Sequence, residues 1–502
     1  MIDRLMRQGG TLYLLLAGYF ILHIVVRLAL PSSLELDEGQ QLFFSQWLKF
    51  GYDSQPPFYN WLQYGAVHVF GVSVAALTVL KNLLLFGATL LLGLTANLIL
   101  RDKALAAVAT LGLIAIPQVS FEAQRDLTHT VAVLFAACLF LYAFVNTLQR
   151  PTAWTYSLTG LAAGIGVLAK YNFMLLPLAA IVAVLPDRDF RARLFDWRIL
   201  LTIAIGAVVV LPHAWWFFEH VDIATERTLG KLIERQGSRL ERITDGLGAL
   251  AVAIVAFGFT PLLVFWIAFG RRLATAWKAS SPMSRLLGRM FIAIVVMLTA
   301  LVLFAGATDI RPRWLVPFFF PLPLWLCLKI EASDGTTDTA PRRFGRITVS
   351  IMILVLLVLA ARTPVMGMLG RYERPNVPYD PAIKAILASG QDRPSLVAAI
   401  DQQMAGNIRL QAADIPIIVP GFKHLQPVYP FDTGHPVLLV WRDRGNAVPE
   451  LPPELSAWLL AQPALAALTP ETHDIALPYH YGRAGDVYHF SYAWLYPVPV
   501  SK

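Results

Sequence analysis

Residues 11–61 begin with the apolar run TLYLLLAGYFILHIVVRLAL (Thr11–Leu30) and, after four residues, continue as ELDEGQQLFFSQWLKFGYDSQPPFYNW (Glu35–Trp61). The apolar run has about 20 residues, the length with which an α-helix spans a bilayer. It is too long for the apolar core of a signal peptide, so we interpret it as a retained transmembrane helix. Asp37 and Glu38 are therefore expected where the chain leaves the hydrocarbon, where carboxylates persist mainly because they bind, pair or transfer protons.

The two acids also have a simpler interpretation. Asp favours the N-cap and acids favour the first turn, so Asp37 or Glu38 could merely begin a helix that we predict over residues 39–50. The aromatic residues that follow, Tyr59 and Trp61 among them, either lay the segment along the membrane surface or line a ligand groove. The sequence alone leaves both alternatives open.

The composition indicates a polytopic membrane protein. Hydrophobic residues make up 56% of the 502 residues, charged residues 15%, and the mean hydropathy is +0.57, which is too apolar for a soluble protein. The net charge of +8 is then first a topology signal, because Lys and Arg collect in cytoplasmic loops. Nucleic-acid binding is not expected, since it would need a clustered basic soluble domain.

Apolar runs predict eleven spans. We expect them at about residues 11–30, 75–100, 104–116, 127–146, 156–169, 173–185, 199–216, 246–269, 291–308, 314–329 and 347–361. With these spans, the arginine-rich loops all fall on the same side of the membrane, which is the inside by the positive-inside rule. The N-terminus is then inside, and the Asp37 loop and the C-terminus are outside. The third, fifth and sixth runs are shorter than a perpendicular helix needs, so we expect their ends to shift by several residues.

The chain changes character after Arg371. Pro and Gly become more frequent, strand-length runs occur at 395–400, 416–419 and 436–441, and helices fit near 382–388 and 454–462. Residues 487–494 alternate as a half-buried edge strand does. We therefore predict a transmembrane domain, residues 1–363, and a small α/β extracytoplasmic domain, residues 364–502, that covers the first or binds a partner.

Cations at the outer ends of spans break the positive-inside pattern. They are Arg125, Lys170, Arg311 and Arg313. Together they could hold a phosphate, because Arg offers a planar fork of donors and Lys a point charge. Each could instead reach the headgroups or pair with Asp126 or Asp309. Lys81 lies about a turn inside the second span and is expected to face the bundle interior, since facing lipid would cost up to about 2.5–3.5 kcal/mol.

Residues 225–243 have the spacing of an interfacial amphipathic helix. Its basic side either touches an anionic lipid substrate or simply lies on headgroups.

Several of these features occur together in one known family. They are the acidic pair at the outer end of the first span, the Gln55-Pro-Pro-Phe-Tyr-Asn-Trp61 segment, Thr128-His-Thr130 at the start of the fourth span and Lys170 at the end of the fifth. In this order the chain, over about residues 1–361, resembles the GT-C glycosyltransferases, and among them the bacterial aminoarabinose-transferase and protein O-mannosyltransferase-like group. The resemblance implies a multi-pass enzyme of the bacterial cytoplasmic membrane that moves a sugar from a polyprenyl-phosphate carrier to an acceptor on the outer side.

Two positions depart from the pattern of that family. Gln55 stands where a Lys often precedes the proline pair, so other cations would have to meet the carrier phosphate. His129 stands within Thr128-His-Thr130, where a Thr-Asp-x-Pro pattern is common. It either changes acceptor contacts and proton handling or is a structural histidine.

The mechanism that we expect is inverting transfer with Asp37 as general base on the acceptor hydroxyl. Arg125, Lys170 and Arg313, with Arg311 and Lys81, would stabilise the leaving phosphate. Glu38 would orient the acceptor or hold a divalent ion, but no further ligand set is visible and we predict no metal site. The residues expected to contact substrate are Gln55, Tyr59, Trp61, Asp126, His129 and Tyr171.

Two alternatives to an enzyme stay open. A transporter or flippase of prenyl-linked glycans would also need outer cations and many spans, although scarce charge at mid-membrane and the lack of an obvious internal repeat disfavour it. A noncatalytic membrane subunit is the other. The sequence leaves the donor sugar open, and the basic segment 225–243 favours an anionic lipid or lipopolysaccharide as acceptor.

Overall fold

The computed structural model of the chain describes residues 5–6, 8–225, 238–333, 339–427, 429, 431–432, 434–442 and 449–497. The chain forms two compact units. The first unit comprises Met1–His23, Lys49–Tyr59 and Lys81–Val355, and the second comprises Ile24–Leu48, Asn60–Leu80 and Leu356–Lys502. The predicted domain boundary between residues 363 and 364 stays a prediction.

Long apolar helices dominate the described chain. Seven of them are long and apolar enough to cross a membrane: Gly9–Ala29, Val74–Ile99, Thr128–Gln149, Ile199–Glu219, Arg239–Phe269, Pro282–Ala305 and Thr339–Met368. The helices Pro312–Phe319 and Leu322–Glu331 meet at an angle of 45° and give an eighth candidate if they form one bent span. The protein is therefore a polytopic helical membrane protein.

Every one of the eleven predicted spans overlaps a helix. Three of these helices are shorter than the rest, Lys103–Gly112, Ala153–Ala169 and Tyr171–Val184. They match the third, fifth and sixth predicted spans, which were expected to be short for a perpendicular crossing. The number eleven stays a prediction, because length and composition assign seven or eight spans among the described residues.

Polar residues and one glycine set the ends of several helices. The Asp102 side chain accepts hydrogen bonds from two backbone N–H groups at the start of Lys103–Gly112. The Ser281 hydroxyl caps Pro282–Ala305 in the same way, and the first residue of this helix is a proline, which lacks the N–H group. The helix ends at Gly306, whose φ of +70° is a left-handed conformation that glycine adopts without steric cost.

Small residues let helices of the first unit approach closely. A Cβ on Gly160 would overlap the Thr202 carbonyl oxygen, so Ala153–Ala169 packs directly against Ile199–Glu219. The Thr202 hydroxyl donates to the Tyr156 carbonyl at 2.8 Å across the same contact. Such close approach is the usual way in which helices associate where lipid removes the hydrophobic driving force.

The second unit contains a five-stranded mixed sheet. Its strands are β1 (Leu396–Ala399), β2 (Ile417–Ile418), β3 (Val437–Arg442), β4 (Thr472–Pro478) and β5 (Val487–Leu495), in the order β2-β1-β3-β5-β4. β1 is parallel to β2 and β3, whereas β5 is antiparallel to β3 and β4. Tyr379–Ala388, Gln402–Gln411 and Pro453–Leu460 are its helices, and Trp441, Leu455 and Trp458 belong to its apolar core.

The predicted small α/β domain is confirmed in class, but one strand assignment was wrong. Residues 487–494 were expected at a sheet edge, whereas β5 lies between β3 and β4. The edge strand on that side is β4, which the sequence analysis missed. Its residues, THDIALP, include polar and exposed positions and form no apolar run. The helix Gln402–Gln411 was missed for a similar reason, because its sequence QQMAGNIRLQ is weakly apolar.

The described chain also contains four shorter helices of six to thirteen residues outside the sheet domain. They are Leu36–Phe44, Phe58–Phe70, Arg188–Leu194 and Arg271–Ala276. We call Leu36–Phe44 the acidic helix; it begins and ends earlier than the predicted 39–50 helix. Most of the predicted amphipathic helix 225–243 lies outside the described residues, since the description resumes at residue 238 and a helix begins at Arg239.

Candidate active site

The acidic helix lies in the second unit and starts with its own acids. Glu35 is the N-cap, and the Glu38 carboxylate accepts the Glu35 backbone N–H at 3.1 Å. This is one half of a capping box, which satisfies a donor that the helix leaves free. Glu38 thus helps to cap the helix, although the N-cap is Glu35.

Glu38 is also paired with a cation from the end of the first span. Arg27 donates from Nε to Oε1 at 3.2 Å and from Nη2 to Oε2 at 2.8 Å, and Glu38 is 1% exposed. The same guanidinium donates to the carbonyls of Pro31 and Ser33. Two-point pairing of this kind fixes geometry as well as charge, so it joins the last turn of the first span to the acidic helix.

Asp37 is placed differently, although it directly precedes Glu38. It is partly exposed at the second helical position. Neighbouring residues on a helix point about 100° apart, so its carboxylate leaves the helix on another side than that of Glu38. Trp61, also in this unit, is partly exposed on the helix Phe58–Phe70, and its neighbour Asn60 donates to the Gln41 side chain of the acidic helix at 3.2 Å.

In the first unit, Lys81 points into protein. It is 2% exposed, and its Nζ donates to the Gln124 carbonyl at 3.3 Å. Asn82 accepts from the Gln124 side chain at 2.9 Å. The expectation that Lys81 faces the bundle interior is confirmed, and the contact ties the helix Val74–Ile99 to the loop that carries Arg125.

That loop is irregular. Gln118–Glu122 forms a π-helical turn, Ala123–Arg125 a short helical turn, and Leu127 has a φ of +71°. A left-handed leucine is strained, and such strain persists only where surrounding contacts enforce it, often at functional sites. It occurs directly after Asp126, which is partly exposed, and before the helix Thr128–Gln149.

Glu122 lies within electrostatic range of Arg125 and Arg313. Burial raises the pKa of the Glu122 carboxyl above its ordinary value, while the two guanidinium groups act in the opposite direction. Arg311, two residues from Arg313, instead has its own partner, because its Nε lies 2.6 Å from the Asp309 carboxylate. Of the three predicted arginines, Arg125 and Arg313 therefore interact with Glu122, and Arg311 forms a separate, more exposed ion pair.

Lys170 and Tyr171 follow the helix Ala153–Ala169. The Lys170 Nζ donates to the Thr130 hydroxyl at 3.4 Å, next to His129. Two residues on, the Asn172 amide donates to the Trp314 carbonyl at 3.3 Å, next to Arg313. These contacts bring the segment with Lys170 to the start of the helix Thr128–Gln149, which carries His129, and to the helical turn Pro312–Leu315, which carries Arg313.

Tyr171 is part of a hydrogen-bonded chain through a histidine. Its hydroxyl lies 2.9 Å from His213 Nε2, and His213 Nδ1 lies 2.7 Å from the Phe50 carbonyl. A carbonyl only accepts, so Nδ1 donates to it and Nε2 accepts from the tyrosine. The Trp216 ring stacks on His213 at 5.6 Å, and a Cβ on Gly51 would overlap that ring. The helix Ile199–Glu219 thus holds the loop that leads to Gln55.

The end of that loop meets the start of the fourth predicted span. The Tyr59 and His129 rings are 6.1 Å apart, and both residues are buried. Gln55 is partly exposed on the same loop. Contacts of these residues and of their sequence neighbours therefore connect the parts of the first unit that carry Lys81, Arg125, Arg313, Lys170, His129 and Tyr59.

Comparisons with known proteins identify the family. Residues 54–216 match the dolichyl-phosphate-mannose-protein mannosyltransferase family. The chain is 45% identical over 490 residues, covering 97% of this chain and 98% of the relative, to the lipopolysaccharide core galacturonosyltransferase RgtB of Rhizobium johnstonii. It is 44% identical over 502 residues to RgtA of the same organism, with 99% of each chain covered. The chain belongs to this family of GT-C glycosyltransferases.

A solved structure is similar in fold. ArnT from Cupriavidus metallidurans bound to undecaprenyl phosphate superposes with a TM-score of 0.62 over 97% of this chain and 98% of that chain, at 13% identity. The predicted resemblance to GT-C enzymes is thus confirmed, as is the prediction that the chain is a membrane glycosyltransferase.

In this glycosyltransferase the first unit offers positive charge and the second a partly exposed carboxylate. The arrangement around Glu122 suits an anionic group, since Arg125 and Arg313 have no ion pair within 4 Å among the described residues. Within those residues, no group of three or more His, Cys, Asp or Glu side chains is placed to hold a metal ion.

Sequence reasoning missed three residues that interact with predicted site residues. Glu122 stands three residues before Arg125, a spacing that places both on one helical face and could have been noticed. Arg27 could have been singled out as a cation inside the outer end of the first span. His213 offered no local signal, because its partners Phe50 and Tyr171 are 163 and 42 residues away.

Proposed function

We propose that the protein transfers a galacturonosyl residue from a polyprenyl-phosphate donor to the lipopolysaccharide core, with inversion at the anomeric carbon. The observation that carries the proposal is the identity of 45% over nearly the whole chain with a lipopolysaccharide core galacturonosyltransferase. The fold shared with ArnT, whose structure was solved with undecaprenyl phosphate, supports a polyprenyl phosphate as the carrier.

The charge of the first unit suits this donor. A polyprenyl-phosphate galacturonate carries one negative charge on the phosphodiester and one on the sugar carboxylate. A neutral hexose donor would carry only the first. Lys81, Arg125, Lys170 and Arg313 are linked by contacts in one unit, so they offer enough charge for both groups.

In the proposed reaction Asp37 takes the proton of an acceptor hydroxyl. The hydroxyl oxygen attacks the anomeric carbon from the side opposite the phosphate, and the bond from that carbon to the phosphate oxygen breaks. The phosphate leaves with the bonding electrons, and the cations of the first unit stabilise its new charge.

The remaining predicted residues have supporting roles in this proposal. Glu38 acts as a positioning residue, because Arg27 and the Glu35 N–H engage both its oxygens. Gln55, Tyr59, Trp61, Asp126, His129 and Tyr171 contact the sugar, the prenyl chain or the acceptor. Arg311 guides anionic substrate from its more exposed position.

We also propose the topology that this reaction needs. Eleven spans in a bacterial inner membrane, with the N-terminus inside, place the acidic helix and the C-terminal domain on the periplasmic side. The alternation of arginine-rich loops supports this orientation. Reaction of charged membrane-impermeant thiol reagents with single cysteines introduced at Asp37 and at Arg193 would test it, since only the first should react from outside.

The test of the proposed function is transfer by the purified protein. It is incubated in detergent with radiolabelled polyprenyl-phosphate galacturonate and a lipopolysaccharide core that lacks galacturonate, and label in the lipopolysaccharide is measured. Donors with aminoarabinose or a neutral hexose serve as controls for the sugar. We expect label only from the galacturonate donor, and Asp37→Asn should abolish it. A protein that moves the donor across vesicles without forming a new glycoside would instead be a flippase.

A further inference from the structure

The C-terminal domain contacts the acidic helix through bare backbone. Its helix Gln402–Gln411, which we call the docking helix, crosses the acidic helix at two glycines. A Cβ on Gly406 would overlap the Gly39 carbonyl oxygen, and a Cβ on Gly39 would lie 2.8 Å from the Gln403 Cα. Real Cβ atoms do not approach other atoms so closely, so each position needs glycine for the two helices to touch as they do.

Hydrogen bonds hold the same contact on both sides of Asp37. Before it, the Leu34 N–H donates to Asn407 Oδ1 at 3.1 Å, and the Gln403 amide donates to the Leu34 carbonyl at 2.8 Å. After it, the Gln40 amide donates to Gln402 Oε1 at 2.9 Å. The start and the first turn of the acidic helix are therefore both fixed to the docking helix.

A second element of the domain holds the end of the segment. Gln46 donates to the Ile417 carbonyl at 3.0 Å and accepts the Ile417 N–H at 2.9 Å. Its side chain thereby pairs with β2, the strand at one edge of the sheet. The Phe43 and Phe44 rings both pack on Phe422, with centroids 5.7 and 5.6 Å apart.

These contacts leave Asp37 itself accessible. Residues two apart on an α-helix point about 200° apart, so Asp37 faces away from the Gly39 contact. It is partly exposed, whereas Gly39 and Gly406 are buried. The docking helix thus supports the back of the acidic helix.

We propose that the docking helix positions Asp37 for catalysis, with Gln403, Gly406 and Asn407 as the positioning residues. The inference rests on the proposed function, in which Asp37 is the general base. By this inference the C-terminal domain takes part in the reaction. A domain that only covers the membrane domain or binds a partner would not. A base displaced by about 1 Å can lose up to about 100-fold in rate, so a small push on Gly39 should be measurable.

The main test compares two alanine variants of one domain. Gly406→Ala pushes a methyl group against the Gly39 carbonyl, whereas a Cβ on the control Gly421 meets nothing within 4 Å. We expect Gly406→Ala to lower kcat per folded molecule by about tenfold or more. The donor KM and the affinity for polyprenyl phosphate should change by less than about twofold, since the acidic helix moves and the cations do not. Gly421→Ala should match the parent.

A second pair of variants covers the case in which Gly406→Ala fails to fold. Asn407→Asp keeps an acceptor for the Leu34 N–H, and Asn407→Ala removes it. We expect Asn407→Ala to lower kcat at equal donor KM. Asn407→Asp should recover only part of it, because the buried carboxylate cannot replace the donation of the Asn407 amide to the Gln403 carbonyl. Gln402→Ala, at a partly exposed position, is a milder third variant with the same expected direction.

The outcomes separate the inference from the proposed function. If Asp37→Asn abolishes transfer but Gly406→Ala, Asn407→Ala and Gln402→Ala all keep the parental kcat per folded molecule, the positioning role is refuted and the general base stands. If these variants change only the folded fraction, the contact is structural and the inference is overturned as well. Full turnover by Asp37→Asn would remove the general base itself.

Discussion

Asp37 and Glu38 are neighbours with different expected roles, and conservative amide variants should separate them. Glu38→Gln removes the charge that pairs with Arg27, while Asp37→Asn removes the proposed general base. Both changes keep size and shape nearly constant. We expect Glu38→Gln to lower stability and Asp37→Asn to lower turnover.

The size of the stability effect follows from the contacts of Arg27. Loss of one partner of a buried ion pair costs about 3–5 kcal/mol, because the other charge stays buried. In Glu38→Gln the Arg27 side chain, 16% exposed, still donates to two carbonyl groups, and the new amide oxygen could still accept the Glu35 N–H. We therefore expect a loss of about 2–3 kcal/mol, smaller than for a fully orphaned charge.

Asp37→Asn should differ in both readouts. The residue is partly exposed, and its charge in the first turn contributes at most about 1 kcal/mol through the helix dipole. Its loss as a general base should lower kcat by about 10²–10⁴-fold. Glu38→Gln acts on the reaction only through position, so well below its melting temperature it should keep kcat within about tenfold of the parent.

The assay is thermal unfolding of the detergent-solubilised protein together with the transfer reaction. A loss of about 2–3 kcal/mol corresponds to a Tm lower by about 4–12 °C for a unit of this size. The double variant Arg27→Gln, Glu38→Gln should be more stable than Glu38→Gln alone, because neither charge is then left without its partner. The reasoning fails if Asp37→Asn is the less stable of the two, or if the double variant is no more stable than the single one.

Three further predictions concern the first unit. Arg313→Gln should raise the donor KM by about 10-fold or more, whereas Arg311→Gln, which breaks an exposed ion pair, should change it less than about twofold. Burial raises the pKa of Glu122, so its carboxyl gains charge at a higher pH than a free glutamate and then offsets the arginines. Donor-analogue binding by the parent should therefore weaken as pH rises through that pKa, and Glu122→Gln should bind more tightly without this pH dependence, as titration calorimetry would reveal. His213→Phe keeps an aromatic ring but loses the hydrogen bond to the Phe50 carbonyl, on the loop that leads to Gln55, and the one to Tyr171, so steady-state kinetics should give a higher donor KM.

The helical part of the fold could be predicted because its signal is local. A span needs about 20 consecutive apolar residues, and such a run can be read without knowing what the helix packs against. The sheet was harder. β3, VLLVWR, is an apolar run and was found, whereas β4, THDIALP, owes its place to its pairing with β5. That pairing made β5 an inner strand, which alternation within β5 alone could not indicate.

The candidate site was partly predictable for a related reason. Arg125, Lys170 and Arg313 could be found because cations on the outer side break the positive-inside rule. That rule can be applied to single residues and loops without knowing the fold. Glu122 interacts with two of these cations, Arg125 and Arg313. Arg125 is close to it in sequence, whereas Arg313 comes near it only because the chain folds. Which cations gather and which pair elsewhere depends on such distant contacts.

The acidic pair shows where residue-level reasoning reaches its limit. Both carboxylates lie at the end of a span, and both satisfy the rule that acids at this depth bind, pair or transfer protons. The rule does not say which of these roles each acid has. Glu38 is an acid that pairs, and its partner is Arg27, 11 residues earlier. Arg27 also donates to two carbonyls of the turn between them, so the pairing depends on the turn as well as on the two charges. Arg27 and the helix cap bind Glu38 on a side about 100° from Asp37, so the contacts of one carboxylate hold the helix that carries the other.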